Sequence, residues 1–122
     1  MANVATFGEI MLRLSPSGKE LLFQSPRLEA VFGGGEANVA VSLAILGHRS
    51  RWGAVVPSNP VGEAAVRELR RFGVDTGFVV RGGRRLGIYF AETGANERPS
   101  QVVYDREGSG ISEAKPGDID WE

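Results

Sequence analysis

Short apolar runs alternate with segments of helical periodicity along the first two thirds of the chain. The run Val4 to Phe7 is short and mostly apolar, which is typical of a buried strand. Residues 36–46 predict a helix that ends at Gly47, and residues 51–56 predict the next strand. Because strands and helices follow one another in this order, the pattern favours a parallel α/β sheet.

A second helix is predicted to begin after Asn59. Asn59 suits the N-cap and Pro60 suits the first helical position, where its missing N–H costs nothing. Apolar residues then recur at helical spacing as far as Gly73, and residues 77–80 predict a third strand of the parallel sheet.

A different pattern, the alternation typical of strands, marks three further runs. It occupies residues 10–14 and returns in residues 86–91 and 101–106, as is typical of a sheet with one covered face. The last two runs flank a polar loop and predict a hairpin. Two short strands are also expected at residues 21–23 and 28–32.

The predicted hairpin places a cluster of side chains on one face. If its loop is centred on residues 94–99, Tyr89 lies opposite Tyr104 and Gly87 lies opposite Arg106. Strand residues two apart point the same way, so two phenols and a guanidinium would share one face, with Gly87 leaving space beside the arginine. A slip of one residue would turn one strand's side chains to the other face.

A glycine turn precedes the first helix. Gly33, Gly34 and Gly35 lead directly into the turn that carries Asn38. Glycines allow close approach of a ligand, and the free amides at a helix N-terminus can donate to its oxygens. The spacing therefore predicts a polar ligand at this helix mouth. The same spacing fits a plain strand-to-helix turn, and Asn38 could serve only its local backbone.

Composition favours a small polar metabolite as the partner. The chain has 122 residues, which suits one small domain, and its net charge is −1 with a pI near 5.9. It therefore lacks the basic field that attracts nucleic acid or anionic membranes. No cysteine is present, and no apolar run is long enough to span a bilayer. We expect a cytoplasmic protein with neither a nucleic-acid nor a membrane partner.

The predicted strands, helices and glycine turn together resemble the N-terminal part of ribokinase-like (PfkB) carbohydrate kinases. The resemblance is strongest to the 2-keto-3-deoxygluconate kinases. The resemblance covers essentially all of residues 1–122. It implies an α/β fold, in which a ribokinase-like parallel sheet has helices on its faces and a small β-lid beside it. The chain would be truncated after the N-terminal part of the kinase domain. The lid would comprise segments 9–33 and 85–107. The matching stretches are residues 8–16, 33–47, 53–57, 60–62, 87–90 and 104–106.

The resemblance also implies an activity and a set of contacts. Such kinases transfer the γ-phosphoryl group of ATP, with Mg²⁺, to a sugar hydroxyl, and this chain would supply the sugar-binding part. Arg106 would pair with the carboxylate of a keto-acid sugar, a charge-assisted contact. Alternatives are plain packing of the two tyrosines, and an Arg106 that is solvated or paired with Asp105 or Glu107. The implied substrate-binding residues are Glu9, Gly33, Gly34, Asn38, Tyr89, Tyr104 and Arg106.

The family's catalytic Gly-Ala-Gly-Asp motif does not occur in these 122 residues. We therefore expect this chain alone to hold no catalytic residue, to bind neither ATP nor Mg²⁺, and to show no turnover. The parallel sheet should keep an unpaired edge and an uncovered apolar face. Alternatives are a fructokinase or another ribokinase-like kinase, and a non-catalytic fragment that binds sugar or forms a homodimer through the lid strands.

Overall fold

Two sheets of different kinds organise residues 1–121, the part of the chain that this computed structural model describes. The first sheet is parallel, and its three strands are, in spatial order, β1 (Asn3–Phe7), β4 (Arg49–Val56) and β5 (Asp75–Arg81). The helices are α1 (Gly35–Ile45) and α2 (Pro60–Arg71), and a 3₁₀ turn spans Ile111–Glu113.

The second sheet has four strands. They are, in spatial order, β3 (Glu29–Gly33), β2 (Met11–Ser15), β6 (Ile88–Glu92) and β7 (Gln101–Asp105). The pairs β2–β3 and β6–β7 are antiparallel, whereas β2 and β6 pair in parallel. Segments that are far apart in the sequence therefore share one sheet.

The hydrophobic core lies between the parallel sheet and the two helices. Trp52, Ala54 and Val56 stand at alternate positions of β4, so they point to one face, and all three are buried. They form one cluster with buried residues of both helices, namely Ala37, Ala40, Ala65, Val66 and Leu69. The predicted parallel α/β sheet is confirmed, with α1 and α2 on the same side of it.

The predicted helix signals are also confirmed. Gly47 follows α1 with φ of 90°, a left-handed conformation that glycine adopts without steric cost. The side-chain oxygen of Asn59 accepts from the backbone N–H of Gly62 at 2.9 Å, and Pro60 occupies the start of α2. Neither helix within residues 1–121 has the length and apolarity to cross a membrane.

Burial of the first strand was not as expected. Ala5 and Phe7 of β1 are exposed, Phe7 by 45%, so the expectation of a buried strand from Val4 to Phe7 is wrong. The reason is position, because β1 is the outer strand of its sheet and these two side chains point away from the helices. Within residues 1–121, the expected unpaired edge and uncovered apolar face are both found at β1.

The register of the second sheet agrees with the predicted hairpin. Tyr89 pairs with Tyr104, as expected for a symmetrically placed loop. The strand predicted at 28–32 is confirmed as β3, but the one predicted at 21–23 is wrong, because these residues form a turn. There the N–H of Leu22 donates to the buried Glu92 carboxylate at 2.9 Å, so a side chain replaces a strand partner.

Candidate functional site

An open cavity of about 250 Å³ lies where the glycine turn meets the four-stranded sheet. Five of the seven residues predicted as substrate contacts line it, which are Gly33, Gly34, Asn38, Tyr89 and Tyr104. The fold thus brings together the helix mouth and the tyrosine pair, which the sequence predicted separately. Residues of the four-stranded sheet and of the first turn of α1 therefore line one open space.

At two positions of the turn, Gly33 and Gly34, neighbouring groups leave little or no room for a side chain. A β-carbon at Gly34 would overlap the backbone carbonyl oxygen of Glu9, and one at Gly33 would lie 3.0 Å from the Tyr89 hydroxyl. Gly34 also begins the helix, since its carbonyl accepts from the Asn38 N–H at 2.8 Å. The turn therefore packs closely on its neighbours while it leaves the cavity open.

Polar groups that face the cavity are available to a ligand. Within residues 1–121, the side-chain amide of Asn38 and the hydroxyls of Tyr89 and Tyr104 have no hydrogen-bond partner. The two phenol rings lie 5.9 Å apart between centroids with an interplanar angle of 36°, so they also pack against each other. Mutual packing and ligand contact are compatible here, because the packing uses the rings and leaves both hydroxyl groups without a hydrogen-bond partner among residues 1–121.

Arg106 lies beside the tyrosines and pairs with Glu9. Its Nη1 is 3.3 Å from Oε1 of Glu9, and its guanidinium carbon lies 5.2 Å from the centre of the Tyr104 ring. The alternative pairing with Asp105 is wrong, since Asp105 pairs with Arg85 at 2.9 Å. Arg106 therefore contacts Tyr104, which lines the cavity, and Glu9 contacts Arg106, so the ion pair lies at the cavity rim rather than in its lining.

Gly87 makes room for this ion pair. A β-carbon at position 87 would lie 2.8 Å from Cβ of Arg106 and 3.0 Å from Oε2 of Glu9. The predicted space beside the arginine is therefore confirmed. It results from the register, in which Gly87 continues the pairing of Ile88 with Asp105 by one residue.

Sequence reasoning did not identify every residue at the site. Met11 and Val102 also line the cavity, and Arg13 pairs in register with Tyr89, which places it on the same face of the sheet. Alternation along β2 indicates that Met11 and Arg13 share a face. The alternation does not indicate which strand lies beside β2. The sequence therefore held no signal that places Met11 and Arg13 next to Tyr89.

A metal or nucleotide site is not evident in this stretch. Within residues 1–121, no group of three or more His, Asp or Glu side chains could hold a metal ion. The glycine turn faces two phenols and an ion-paired arginine, which suits a polyhydroxylated ligand better than a triphosphate.

Comparison with known proteins identifies carbohydrate kinases as relatives of this chain. Residues 1–117 match the family described as pfkB family carbohydrate kinase. The 2-dehydro-3-deoxygalactonokinase of Haloferax volcanii is 36% identical over 118 residues, which are 97% of this chain and 37% of that protein. The chain thus spans little more than a third of that relative's length.

Solved structures agree with this result. The crystal structure of 2-dehydro-3-deoxygluconokinase from Thermotoga maritima matches with a TM-score of 0.95 and 53% identity, covering 99% of this chain and 37% of that one. An uncharacterized sugar kinase from Pyrococcus horikoshii in complex with ATP matches with a TM-score of 0.85 and 26% identity, covering 99% and 39%. The α/β fold inferred from the sequence is confirmed.

Proposed function

From the premise that this chain belongs to the pfkB family of carbohydrate kinases, we propose that it forms the sugar-binding part of an ATP-dependent sugar kinase. The proposed substrate is a keto-deoxy sugar acid such as 2-keto-3-deoxygluconate, which is phosphorylated at a hydroxyl. Relatives named for this substrate class support the proposal. In this proposal residues 1–122 are the N-terminal part of the kinase domain, and segments 9–33 and 85–107 are its lid.

The position of Arg106 carries the choice of substrate. A guanidinium at the rim of a cavity lined by hydroxyls and amides suits a ligand that has one carboxylate and several hydroxyl groups. The side-chain exposure of Arg106 is 53%, so a ligand can reach it. A neutral hexose offers this arginine no matching charge.

The residues of the chain bind and orient the sugar in this proposal. The backbone at Gly33 and Gly34 and the amide of Asn38 contact hydroxyl groups at one end of the cavity. The hydroxyls of Tyr89 and Tyr104 contact the middle of the ligand, and Arg106 contacts the carboxylate. Such orientation matters because phosphoryl transfer depends on positioning more than on covalent chemistry by the protein.

ATP, when it is bound with Mg²⁺, supplies the phosphoryl group in the proposed reaction. Within residues 1–121 no group of three or more His, Asp or Glu side chains could hold a metal ion, and the proposal gives these residues no role as base or metal ligand. Contact of Glu9 with a sugar hydroxyl, and a cytoplasmic location, stay predictions.

An Arg106→Ala variant of the natural-length protein tests the substrate class. We expect kcat/KM for 2-keto-3-deoxygluconate to fall by roughly ten- to a hundredfold, as for a lost hydrogen bond to a charged group. Fructose turnover should change little. Arg84→Ala is the matched control, because Arg84 is exposed and does not line the cavity. Equal losses with both sugars would contradict the assignment of Arg106 to the substrate carboxylate.

Exposure of β7 supports a second candidate function, homodimerisation through the lid strands. All five residues of β7 are exposed and it is the outer strand of its sheet, which leaves backbone groups free to pair. Val103 points away from the cavity, so Val103→Lys should shift dimers towards monomers in sedimentation velocity while sugar binding persists. A protein that stays monomeric at every concentration would refute this candidate.

A further inference from the structure

The ion pair between Glu9 and Arg106 joins residues 97 positions apart, yet its geometry is that of a weak contact. The N···O distance is 3.3 Å, whereas strong charge-assisted bonds between such groups are about 2.7–2.9 Å. Among residues 1–121, only one of the five guanidinium N–H donors of Arg106 has an acceptor. The pair can therefore open at small cost, and most of the guanidinium is free to meet another carboxylate.

Arg106 has a second contact that does not depend on Glu9. Its guanidinium lies 5.2 Å from the centre of the Tyr104 ring, within the range of a cation–π interaction. Asp105, the preceding acidic residue, points to the other face of the sheet and is bound by Arg85. Loss of the Glu9 charge should therefore leave Arg106 beside Tyr104 without the carboxylate that it pairs with among residues 1–121.

We propose that Glu9 is an internal counter-ion of Arg106. The carboxylate of the ligand displaces Glu9, and this exchange favours sugar acids over small anions that lack hydroxyl groups. This inference rests on the proposed function. While Glu9 holds the arginine, the charges of the pair cancel formally, and a small anion without hydroxyl groups gains little by binding to Arg106. A sugar acid offsets the displacement because its hydroxyls bind the glycine turn and the tyrosines at the same time.

Titration of acetate tests the counter-ion role, because acetate has the carboxylate but none of the sugar hydroxyls. The protein is the natural-length one, and the variant is Glu9→Gln, which keeps the shape and removes the charge. We expect acetate to bind about two- to fivefold more tightly, the size of an exposed ion pair, and the gain to shrink at high salt. Binding is followed by the NMR shift of the Arg106 guanidinium protons.

Two controls define the result. Glu107→Gln removes an exposed charge next to Arg106 in sequence and should have a smaller effect, and Arg106→Ala combined with Glu9→Gln should abolish the gain. Unchanged acetate affinity in Glu9→Gln would overturn the inference. So would a variant that binds sugar acids and neutral sugars more weakly to the same extent, since this is expected if Glu9 contacts a sugar hydroxyl.

The proposed function can fail without this inference failing. Acetate reports only the exchange of carboxylates on Arg106 and needs no kinase turnover. If the natural-length protein phosphorylated no sugar acid while Glu9→Gln still bound acetate more tightly, the substrate class would be wrong and the counter-ion role would stand.

Discussion

The two sheets of this protein differ in how far their side chains are covered. In β4, the central strand of the parallel sheet, Trp52 and Val56 are fully buried, with exposed fractions of 0%. In β7 every residue is exposed, and Tyr104 reaches 60%. The proposed ligand contacts come from the four-stranded sheet and from the turns that join it to the parallel sheet. Stability and binding are therefore assigned to different sheets.

This difference has a physical cause. A parallel sheet covered by helices buries apolar side chains, which stabilises the fold but leaves them unable to meet a ligand. The four-stranded sheet leaves the polar ends of its side chains exposed on one face. Its side chains therefore bury less apolar surface and contribute less to the free energy of unfolding. The following substitutions test the comparison through the free energy of unfolding of the natural-length protein in urea, from the largest expected effect to the smallest.

Trp52→Ala should lower the free energy of unfolding most, by about 3–5 kcal/mol, because it leaves a large cavity in the core. Trp121→Ala is the matched control on the open face of the same sheet, where Trp121 is 48% exposed and packs on Phe7 and Phe78. Its loss should be clearly smaller. Equal losses would mean that the open face contributes as much as the helix-covered face.

Gly34→Ala should act where the two sheets meet. Its new methyl group would overlap the backbone carbonyl of Glu9, which cannot swing away as a side chain can. We expect a loss of about 1–3 kcal/mol, together with weaker sugar binding. Gly35→Ala is the control, since no heavy atom lies within 4 Å of a β-carbon there. A Gly34→Ala protein as stable as Gly35→Ala would show that the junction can relax.

Asn59→Ala should remove the N-cap of α2 and lower the free energy of unfolding by about 1 kcal/mol. Ser58→Ala changes the preceding exposed residue and should be close to neutral. Sugar binding should be unaffected in both variants, because no residue of α2 lines the cavity. Weaker binding in Asn59→Ala would show that the two sheets are coupled.

Tyr104→Ala should have the smallest effect on stability, below about 0.5 kcal/mol, because this side chain is mostly exposed. Calorimetric titration should nevertheless show weaker binding of the sugar acid. Val103→Ala, on the opposite face of the same strand, should leave binding unchanged. If Tyr104→Ala destabilised the protein without altering affinity, Tyr104 would act in packing rather than in binding. The assignment of ligand binding to the four-stranded sheet would then be wrong.

Much of the fold was predictable because its signals are local. Gly47 and Asn59 mark helix ends through the conformation or hydrogen bonding of single residues, and both marks are confirmed. The pairing of Tyr89 with Tyr104 followed from the position of one loop. Once the loop of a hairpin is placed, the register of its two strands is fixed. Family resemblance added the expectation that these residues meet at one site.

The errors in the fold come from interactions that are not local. Residues 21–23 have the composition of a strand, but the distant Glu92 carboxylate supplies the backbone partner that holds them in a turn. The apolar Val4–Phe7 run predicts burial, but burial of an outer strand depends on what covers it rather than on its own composition.

By itself, the sequence determined the helix ends, the order of strands and helices, and the face that the two tyrosines share. Only the tertiary structure decided that β2 and β6 pair in parallel, and that Glu9 opposes Arg106 across the space left by Gly87. The reason is physical. Caps and turns are set by a few neighbouring residues, whereas a pairing between distant segments depends on the packing of the whole chain, which no short stretch encodes.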